Sequence, residues 1–403
     1  MRVMMASHGY PPTLSGVTRV VQKVSQGLAA RGHEIMVVTA SERGEPYVDE
    51  DAGVQLVRVH ARSNPFWPEG PIPYVSQNDL EELVADFNPD VLHIHDAAFL
   101  GLQCTRMGRR FELPVVASCY YVPHFLTVYV GGGIADDMVE SAGWAYSVWL
   151  LNRCDRVVFA TEAHRQLFLN QGLKVPTSLI SNGIDTKRYH HNGQRDLELE
   201  SRYHLPQGRR LLFVSRLARD KLIDVLIEAM PHVLERYPDA HLLLVGKGPD
   251  RERLEELVAE HTLQEAVHFV GFVPEEDLPT LYRAVDVFVM ASTCEVQSLP
   301  TLQALATGIP VVAADAVALP EIVHDGVDGY LVPPHDVPAF ADAVCRILSN
   351  PDLARQMGRA GCDIAQQHAD ERTIDLYERM LVEACSQPYK ETFHSHLFGR
   401  GQE

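Results

Sequence analysis

The sequence lacks the features that mark membrane-spanning, secreted or zinc-binding chains. No apolar stretch of the 403 residues is long enough to cross a bilayer, because the best candidate, residues 115–135, is interrupted by Pro123 and by Gly131-Gly132-Gly133. The first residues have neither the apolar core nor the cleavage site of a signal peptide. Seven cysteines are dispersed without a C-x-x-C pair, which favours reduced thiols. We therefore expect a cytoplasmic protein without a metal site.

Positively charged residues are also scarce. The chain has 35 Lys and Arg against 54 Asp and Glu, a formal net charge of −19. This balance argues against a nucleic-acid partner, whose phosphates would be repelled. The charge is uneven, since residues 1–190 carry 16 basic against 20 acidic residues and the remainder carries 19 against 34. The acidity therefore belongs mainly to the second half of the chain.

What the sequence does contain is an alternation of short apolar, β-rich runs with amphipathic helical patterns. In the first half the predicted strands span residues 2–5, 34–39, 55–60, 91–95, 115–118, 156–160 and 177–180. In the second half they span residues 210–214, 241–245, 267–270, 287–290, 311–313 and 329–332. Strands that alternate with helices are typical of parallel sheets covered by helices. We predict an α/β protein with two Rossmann-like doubly wound domains that face a central cleft.

A break in this alternation separates the two series of strands. It consists of residues 181–185 and a polar stretch that follows them. We therefore predict a first domain over residues 1–190 and a second over residues 200–368. Residues 386–403 show little periodicity, so we expect a loosely ordered tail there.

The first strand-to-helix junction has small residues where the helix should begin. Ser15 and Gly16 precede the amphipathic pattern of residues 17–30. Such a turn presents free backbone N–H groups, and a glycine lets a phosphate or a sugar approach the backbone closely. An ordinary strand-to-helix loop explains the pattern equally well. The G-x-G-x-x-G fingerprint is absent, which makes a dinucleotide-dependent dehydrogenase a poor alternative.

Two cations follow the first predicted strand of the second domain. Arg216 and Lys221 lie beyond residues 210–214, at the sheet edge where ligands of such domains bind. A guanidinium and an ammonium there can neutralise a diphosphate leaving group. Cations in loops are more often simply solvated, so this pair alone is a weak signal. Gly246 follows the next strand and is a second candidate for close approach of a ligand.

The sharpest signal is the segment over residues 292–310. Glu295 ends a strand loop, and a helix is predicted to begin near Leu299, which is followed by a proline suited to a first helical turn. The N–H groups of Ser298 and Leu299 would then point at a phosphate. Gln303 lies about two turns into that helix and can reach a ribose hydroxyl. A surface acid and a polar helix residue are the ordinary interpretation of each alone, but the order of all these segments favours a nucleotide-sugar site.

Together these segments resemble the family 4 retaining glycosyltransferases of GT-B architecture, from Met1 to about Ala384. The resemblance implies that Arg216 and Lys221 hold the donor diphosphate and that Glu295 contacts the donor sugar. It also implies that the turn at Gly16 faces the reacting centre.

Further implications concern the base, the last helix and the reaction. By resemblance, the segment ending at Gly271 cradles the base, and a helix over about residues 371–385 crosses back to the first domain. The family transfers sugars with retention at the anomeric carbon and needs neither a metal nor another cofactor, because the nucleotide sugar is a substrate. We find no D-x-D motif suited to holding Mg²⁺ against a diphosphate.

The chain departs from the family pattern at several positions. Gln303 stands where the family usually has a second glutamate, Gln297 and Ser298 replace a Phe-Gly pair, and Leu222 replaces a glycine. Where the family often places a histidine near the reacting centre, this chain has Tyr120.

Tyr120 and His124, which follows a few residues later, complete the predicted site, since tyrosine can donate a hydrogen bond to a sugar hydroxyl. The two substitutions at Tyr120 and Gln303 also motivate an alternative, a catalytically silent protein that binds a nucleotide sugar. The retained Arg216, Lys221 and Glu295 argue against it.

We expect the first domain to determine which acceptor binds. The whole pattern resembles the diacylglycerol glucosyltransferase branch of the family. Aromatic residues are dense over residues 120–130 and 144–151, and Arg106, Arg109 and Arg110 fall on one helix face. These features suit a glycerolipid acceptor and peripheral contact with the inner face of a membrane. Core packing and solvated arginines explain them as well, so a small hydrophilic or natural-product acceptor is an alternative. The expected donor is UDP-glucose or a related UDP-sugar, and no oligomeric state is predicted.

Overall fold

The structure is a computed structural model that describes residues 1–13, 15–62, 71–95, 97–123, 134–191 and 196–386. Within these residues the chain forms two β-sheets, each built on a central parallel core and covered by helices. The predicted α/β class is found. No helix of the described part has the length and apolar character needed to cross a membrane.

The first sheet has the strand order β3-β4-β2-β1-β6-β7-β8-β9, and β5 pairs with β4. Its strands are β1 (Arg2–Ser7), β2 (Glu34–Ala40), β3 (Tyr47–Asp51), β4 (Val54–Arg62), β5 (Ile72–Tyr74), β6 (Val91–Ile94), β7 (Val115–Ser118), β8 (Arg156–Phe159) and β9 (Thr177–Leu179). The strands β3 and β5 were not predicted, and both run antiparallel to β4. The reason is that β3 is a charged, mostly exposed edge strand and β5 has three residues, so neither has an apolar pattern.

Helices cover both faces of this sheet. They are α1 (Gly16–Ala29), α2 (Gln77–Phe87), α3 (Phe99–Arg110), α4 (Ile134–Leu151) and α5 (Glu162–Asn170). The first helix begins where predicted, because the Ser15 side chain accepts the N–H of Thr18 in a capping box. Its apolar stripe, which includes Val20, Val24 and Leu28, is fully buried against one face of the sheet.

The second sheet is entirely parallel, with the order β12-β11-β10-β13-β14-β15. Its strands are β10 (Arg209–Val214), β11 (Ala240–Val245), β12 (Val267–Gly271), β13 (Val287–Met290), β14 (Val311–Ala314) and β15 (Gly329–Val332). The helices of this half are α6 (Leu197–Arg202), α7 (Ile223–Arg236), α8 (Arg251–Glu260), α9 (Leu278–Arg283), α10 (Leu299–Ala306), α11 (Val337–Leu348) and α12 (Pro351–Gln367). The central strands are buried on both faces, as expected for a parallel sheet.

The last described helix, α13 (Asp370–Ser386), packs on the first sheet and not on the second. Tyr377 and Leu381 are fully buried in the core that also contains Val24 of α1. Gly27 permits this contact, because a Cβ there would lie 2.3 Å from the Ile374 side chain. The chain therefore passes through the second half and returns to the first.

In both sheets the strand order reverses beside the first strand of the half. In the first sheet, β2 and β4 lie on one side of β1, whereas β6 to β9 lie on its other side. In the second sheet, β11 and β12 lie on one side of β10, whereas β13 to β15 lie on its other side. Ligands of doubly wound sheets bind in the crevice outside the carboxyl ends of such neighbouring strands. The topology thus marks the ends of β1 and β6, and those of β10 and β13, as the two halves of the site.

Candidate functional site

The second-domain half of the site brings together residues that are far apart in sequence. Lys221 follows β10 and Glu295 follows β13, and the Lys221 Nζ lies 2.7 Å from Glu295 Oε1. The two loops are also tied by Ser292, whose Oγ donates to the Asp220 carbonyl at 3.1 Å. Lys221, which is predicted to bind the phosphate, and Glu295, which is predicted to bind the sugar, are therefore direct neighbours.

The charges of this cluster are closely coupled. Lys221 Nζ also lies 3.2 Å from Asp220 Oδ2, and the side chains of Lys221 and Glu295 are each only 12% exposed. Burial by itself lowers the pKa of Lys221, but the negative charges of Glu295 and Asp220 outweigh it and raise that pKa overall, so the ammonium stays charged at neutral pH. Arg216, 42% exposed, places its guanidinium 3.7 Å from Asp220. Two cations and two carboxylates thus form one charged cluster in the loops that follow β10 and β13.

The amino terminus of α10 faces the same crevice. Ser298 is its N-cap, and its buried hydroxyl oxygen accepts the N–H of Thr301. The N–H groups of Ser298 and Leu299 have no backbone acceptor among the described residues, as is usual at the first turn of a helix. These N–H groups and the helix dipole favour an anion at this point.

Gln303 has partners at both ends of its amide. Its Nε2 donates to the Tyr189 hydroxyl at 3.0 Å, and its Oε1 accepts from the Tyr282 hydroxyl at 3.0 Å. The Tyr189 hydroxyl in turn donates to Glu275 at 2.9 Å. These two hydrogen bonds hold the amide in one orientation. A ribose hydroxyl would bind to the second N–H or the second lone pair of the amide. That contact stays a prediction.

The two predicted glycines differ in their surroundings. Gly246 has a φ of +136°, and a Cβ there would lie 1.9 Å from the Ser215 carbonyl oxygen. Because Gly246 has no side chain, the loop after β11 can pack on the loop that carries Arg216. Gly271 has a φ of +82°, and a Cβ there would meet no atom within 4 Å, so open space borders it. Among the described residues no group of three or more His, Cys, Asp or Glu side chains could hold a metal ion.

The first-domain half of the site contributes the amino terminus of α1. A Cβ on Gly16 would lie 4.0 Å from Leu299 Cδ1, so the first turns of α1 and α10 face each other across the cleft. The predicted residues of two separate loops therefore lie on opposite walls of one crevice. One wall has Ser15 and Gly16, and the other has Ser298 and Leu299.

Enlarging Gly16 should therefore obstruct the site. We expect Gly16→Leu to lower kcat/KM by about 100-fold, since a displacement of about 1 Å at a reacting centre can have that effect. Gly16→Ala is the matched control, because its Cβ would make an ordinary contact with Leu299. Steady-state kinetics and thermal melting of both variants check the prediction. Equal activity in the two variants would contradict it.

Tyr120 lies at the carboxyl end of β7, but its hydroxyl has protein partners. It is 3.0 Å from His95 Nδ1 and 3.4 Å from the hydroxyl of Tyr377 on α13. A direct contact with sugar stays a prediction for this residue. His124, the neighbouring predicted residue, lies outside the described residues.

His95 is a candidate for the site that the sequence analysis did not single out. It follows β6, and its backbone N–H donates to the Ala6 carbonyl of β1 at 2.7 Å. It therefore stands at the crevice between β1 and β6. The available signal was a histidine at the end of a strand, but its significance depends on the strand order, which the sequence alone does not give.

Contacts between the two halves were also missed. Gln297, which replaces the phenylalanine of the family pattern, accepts the N–H of Asn182 at 2.7 Å with its Oε1. The Glu321 carboxylate accepts the N–H groups of Glu162 and Ala163 at 2.8 and 2.6 Å, and so caps α5 of the other half. These contacts hold the two walls of the cleft close together.

Comparison with known proteins identifies the family to which this arrangement belongs. Residues 14–188 match the family described as Glycosyltransferase Family 4, and residues 198–363 match the one described as Glycosyl transferases group 1. The chain belongs to the family 4 glycosyltransferases. The resemblance stated from the motifs is confirmed, and the protein is a retaining glycosyltransferase.

Two relatives illustrate the range of this family. The chain is 26% identical to the alpha-monoglucosyldiacylglycerol synthase of Streptococcus pneumoniae, over 95% of this chain and 86% of the relative. It is 28% identical to a GDP-mannose-dependent alpha-(1-6)-phosphatidylinositol monomannoside mannosyltransferase of Mycolicibacterium smegmatis, over 89% and 92% of the two chains.

Solved structures confirm the predicted GT-B fold. Sucrose-phosphate synthase from Thermosynechococcus elongatus superposes with a TM-score of 0.76 at 24% identity, over 95% of this chain and 98% of the other. Anabaena HepE in complex with UDP-glucose gives a TM-score of 0.76 at 18% identity, over 96% and 99%.

Proposed function

We propose that this glycosyltransferase transfers a glucosyl group from UDP-glucose to a hydroxyl group of a glycerolipid at a membrane surface. In this reaction the acceptor oxygen bonds to the anomeric carbon on the face from which the diphosphate departs. The bond between that carbon and the phosphate oxygen breaks, and the acceptor proton passes to the leaving diphosphate.

The residues of the cleft fit this chemistry. Arg216 and Lys221 would neutralise the charge that develops on the leaving diphosphate, and the N–H groups of Ser298 and Leu299 would bind its oxygens. Glu295 would accept hydrogen bonds from hydroxyl groups of the donor sugar. Support for a UDP-glucose donor comes from the similar structure solved with UDP-glucose. Support for a glucosyl group on a glycerolipid comes from the relative named alpha-monoglucosyldiacylglycerol synthase.

The observation that carries the lipid acceptor is an exposed aromatic surface, formed by Phe99, Tyr146 and Trp149. Their exposed fractions are 65, 40 and 43%. The Tyr146 and Trp149 rings stack at 5.9 Å, and the Tyr146 hydroxyl donates to the Ala98 carbonyl at 3.5 Å, beside Phe99. Phe99 opens α3 at the carboxyl end of β6, so this surface begins at the rim of the cleft.

Cations border the aromatic surface. The Arg153 guanidinium lies 3.7 Å from the centroid of the Trp149 ring. Burial and then the positive charge of Arg109 lower the pKa of Arg153. Arg106 is exposed on the same helix as Arg109, whereas Arg110 pairs with Glu81 at 3.0 Å. Aromatic rings beside cations suit the interface of an anionic membrane.

The donor and the acceptor class are tested in one assay. The purified protein is incubated with UDP-glucose, UDP-galactose, UDP-N-acetylglucosamine or GDP-mannose, with and without diacylglycerol in anionic liposomes, and released nucleoside diphosphate is measured. We expect release from UDP-glucose that liposomes stimulate and that Glu295→Ala abolishes. Turnover of GDP-mannose alone would refute the donor, and full activity on a soluble acceptor without liposomes would refute the lipid. Binding of a donor without turnover under every condition would favour the silent homologue.

The aromatic surface is tested by the paired change Phe99→Ser and Trp149→Ser. Burial of one large apolar side chain contributes about 1.5–3 kcal/mol, so we expect at least a tenfold loss of binding to phosphatidylglycerol liposomes. Leu197→Ser is the matched control, because Leu197 is 74% exposed on the other domain. Liposome cosedimentation measures the effect. Equal binding of both variants would remove the support for a lipid acceptor.

A further inference from the structure

The Gln297 side chain connects the second-domain half of the cleft to the segment that joins the two halves. We call residues 295–298, which lead into α10, the α10 loop, and residues 181–185, which follow β9, the linker. Gln297 is 5% exposed, and its Oε1 accepts the N–H of Asn182 at 2.7 Å. Its Nε2 donates to the Ser181 hydroxyl at 3.1 Å. One side chain of the α10 loop thus makes two hydrogen bonds to the linker.

These two bonds fix the orientation of the Gln297 amide. A backbone N–H can pair only with an acceptor, so the amide atom 2.7 Å from the Asn182 nitrogen is the oxygen. The NH₂ group then faces Ser181, whose hydroxyl oxygen can accept a hydrogen bond. Phenylalanine, which the family pattern has at this position, could make neither bond. The connection to the linker therefore depends on the glutamine of this chain.

The linker is itself anchored to the first half. Thr373 of α13 donates its hydroxyl to the Ser181 carbonyl at 3.1 Å. Lys23 of α1 donates to the Gly183 carbonyl at 2.9 Å, and its ammonium lies 2.6 Å from the carboxylate of Asp370. The first turn of α1 is the wall of the cleft opposite α10. The α10 loop is therefore connected, through the linker, to that opposite wall.

A second contact holds the α10 loop at the neighbouring residue. Thr161, the N-cap of α5, is 3% exposed and donates its hydroxyl to the Val296 carbonyl at 2.9 Å. This contact uses the main chain of the loop, so it does not depend on the side chain at position 296. The contact of Gln297 uses the side chain alone. A substitution can therefore remove it and leave the other contact in place.

Gln297 is placed to orient two groups of the predicted donor site. The N–H of Ser298 belongs to the planar peptide unit that begins at the Gln297 carbonyl, so the position of Gln297 sets the direction of this N–H. Glu295 lies two residues earlier, and Lys221 holds it at 2.7 Å. The second half thus holds one end of the α10 loop, and the linker holds the other. A displacement of about 1 Å at a reacting centre can lower a rate about 100-fold.

We propose that Gln297 is a positioning residue that holds the α10 loop in the conformation that binds the diphosphate and the sugar of the donor, and that binding of the donor in turn stabilises the contact between this loop and the linker. The second effect follows from the first, because a ligand shifts a loop toward the conformation that it binds better. Gln297 acts without touching the substrate. Its hydrogen bonds stand without a ligand, whereas its effect on donor binding rests on the proposed nucleotide-sugar site.

The effect on the donor is measured with Gln297→Met in the full-length protein, since methionine has a similar length and can make neither hydrogen bond. We expect binding of UDP, measured by titration calorimetry, to weaken about tenfold or more, because the Ser298 N–H loses its alignment. With a turnover assay, KM for the nucleotide sugar should rise and KM for the acceptor should not change. A residue with only a structural role would reduce the amount of folded protein without changing the affinity of the folded fraction for UDP.

Thr307→Val is the matched control at the other end of α10. Thr307 is fully buried at the C-cap of this helix, and its hydroxyl donates to the Ala304 carbonyl at 2.9 Å. The substitution therefore removes a buried hydrogen bond without reaching the α10 loop. We expect UDP affinity within about threefold of that of the wild type, since the loop keeps its contacts. Equal losses of affinity in the two variants, or wild-type affinity in Gln297→Met, would overturn the proposal.

Ser181→Ala is a smaller change that decides the question if Gln297→Met does not fold. It removes the hydroxyl partner of Gln297 Nε2, and we expect a severalfold loss of UDP affinity. In a protein with both changes, the loss should be smaller than the product of the two single losses, because both side chains act through one contact. Fully multiplicative losses, or a Ser181→Ala protein with wild-type affinity, would contradict the proposal.

The reciprocal effect has a readout that needs no turnover. The Asn182 N–H is bonded to Gln297 Oε1, so hydrogen–deuterium exchange of the peptide that contains Asn182 reports the contact. We expect UDP to slow this exchange severalfold in the wild type and to leave it unchanged in Gln297→Met. Exchange that UDP does not slow in the wild type, or slows equally in both proteins, would refute the coupling.

Titration of GDP in parallel separates this proposal from the proposed function. A wild type that binds GDP and not UDP would refute the proposed donor, and GDP then takes the place of UDP in both experiments. A wild type that binds neither would refute the predicted donor site and the role of Gln297 with it. A wild type that binds UDP beside a Gln297→Met protein that binds it equally well would refute the role of Gln297 alone.

Discussion

Replacement of Lys221 by alanine should lower kcat/KM by about 10²–10³-fold, the usual effect of removing one preorganised electrostatic group from an active site. The ammonium is held by Glu295 and Asp220 at 2.7 and 3.2 Å. Without it, these two carboxylates remain with exposures of only 12 and 8%, and their negative charge would repel an incoming diphosphate. Steady-state kinetics with the preferred donor, and calorimetric binding of the nucleoside diphosphate, measure the loss.

The same loop supplies the control for this prediction. Arg219 is 73% exposed and lies 3.9 Å from Asp250, so Arg219→Ala removes the same charge without changing the cleft. We expect it to retain activity within about threefold, because exposed charges are screened by solvent. A similar loss in both variants would mean that overall charge, and not the position of Lys221, determines donor binding. A Lys221→Ala enzyme with nearly full activity would exclude the assigned role.

The largest expected effect on stability comes from Glu200→Ala. Arg210 of β10 is completely buried, and its guanidinium lies 2.9 Å from the carboxylate of Glu200, which is 5% exposed. Arg210 also donates to the carbonyls of Pro206 and Ala284 at 2.6 and 3.0 Å. Removal of the carboxylate leaves a buried positive charge without its counterion, which costs about 3–5 kcal/mol. For a domain of this size, the loss corresponds to a decrease in Tm of roughly 6–20 °C.

An exposed ion pair on α6, the helix that carries Glu200, is the matched control. Glu198 is 88% exposed and lies 3.6 Å from Arg202, so Glu198→Ala should change the Tm very little. The combined change Glu200→Leu and Arg210→Met should recover much of the stability lost in Glu200→Ala, because it removes both buried charges. Differential scanning calorimetry compares the three proteins. A Glu200→Ala protein as stable as Glu198→Ala would show that water reaches Arg210.

Much of the cleft was predictable because parallel sheets obey simple geometry. Lys221 and Glu295 are 74 residues apart, yet both follow strands of one sheet, and the carboxyl ends of such strands share an edge. Small residues before a helix likewise predicted the amino termini at Gly16 and Leu299, because capping is a local interaction. A Cβ on Gly16 would lie 4.0 Å from Leu299 Cδ1, and this proximity of the two termini depends on the relative placement of the halves.

The roles of several polar residues could not be predicted, since their partners are remote in sequence. The Tyr120 hydroxyl contacts that of Tyr377, 257 residues away, a partner that the sequence does not indicate. The sequence shows Gln297 only as a departure from the family pattern, whereas in the structure its side chain accepts the N–H of Asn182, 115 residues away. No periodicity or spacing in a sequence reports such pairs.

The sequence by itself determined the fold class, the family and where the loops and helix termini of the candidate site fall along the chain. These properties follow from apolar periodicity, helix capping and the order of short motifs, all of which act over a few residues. Tertiary structure decided which residues of those segments contact one another, the orientation of Gln303 and the position of His95 at the crevice. The physical reason is that hydrogen bonding and burial depend on distances between elements, and packing alone sets those distances.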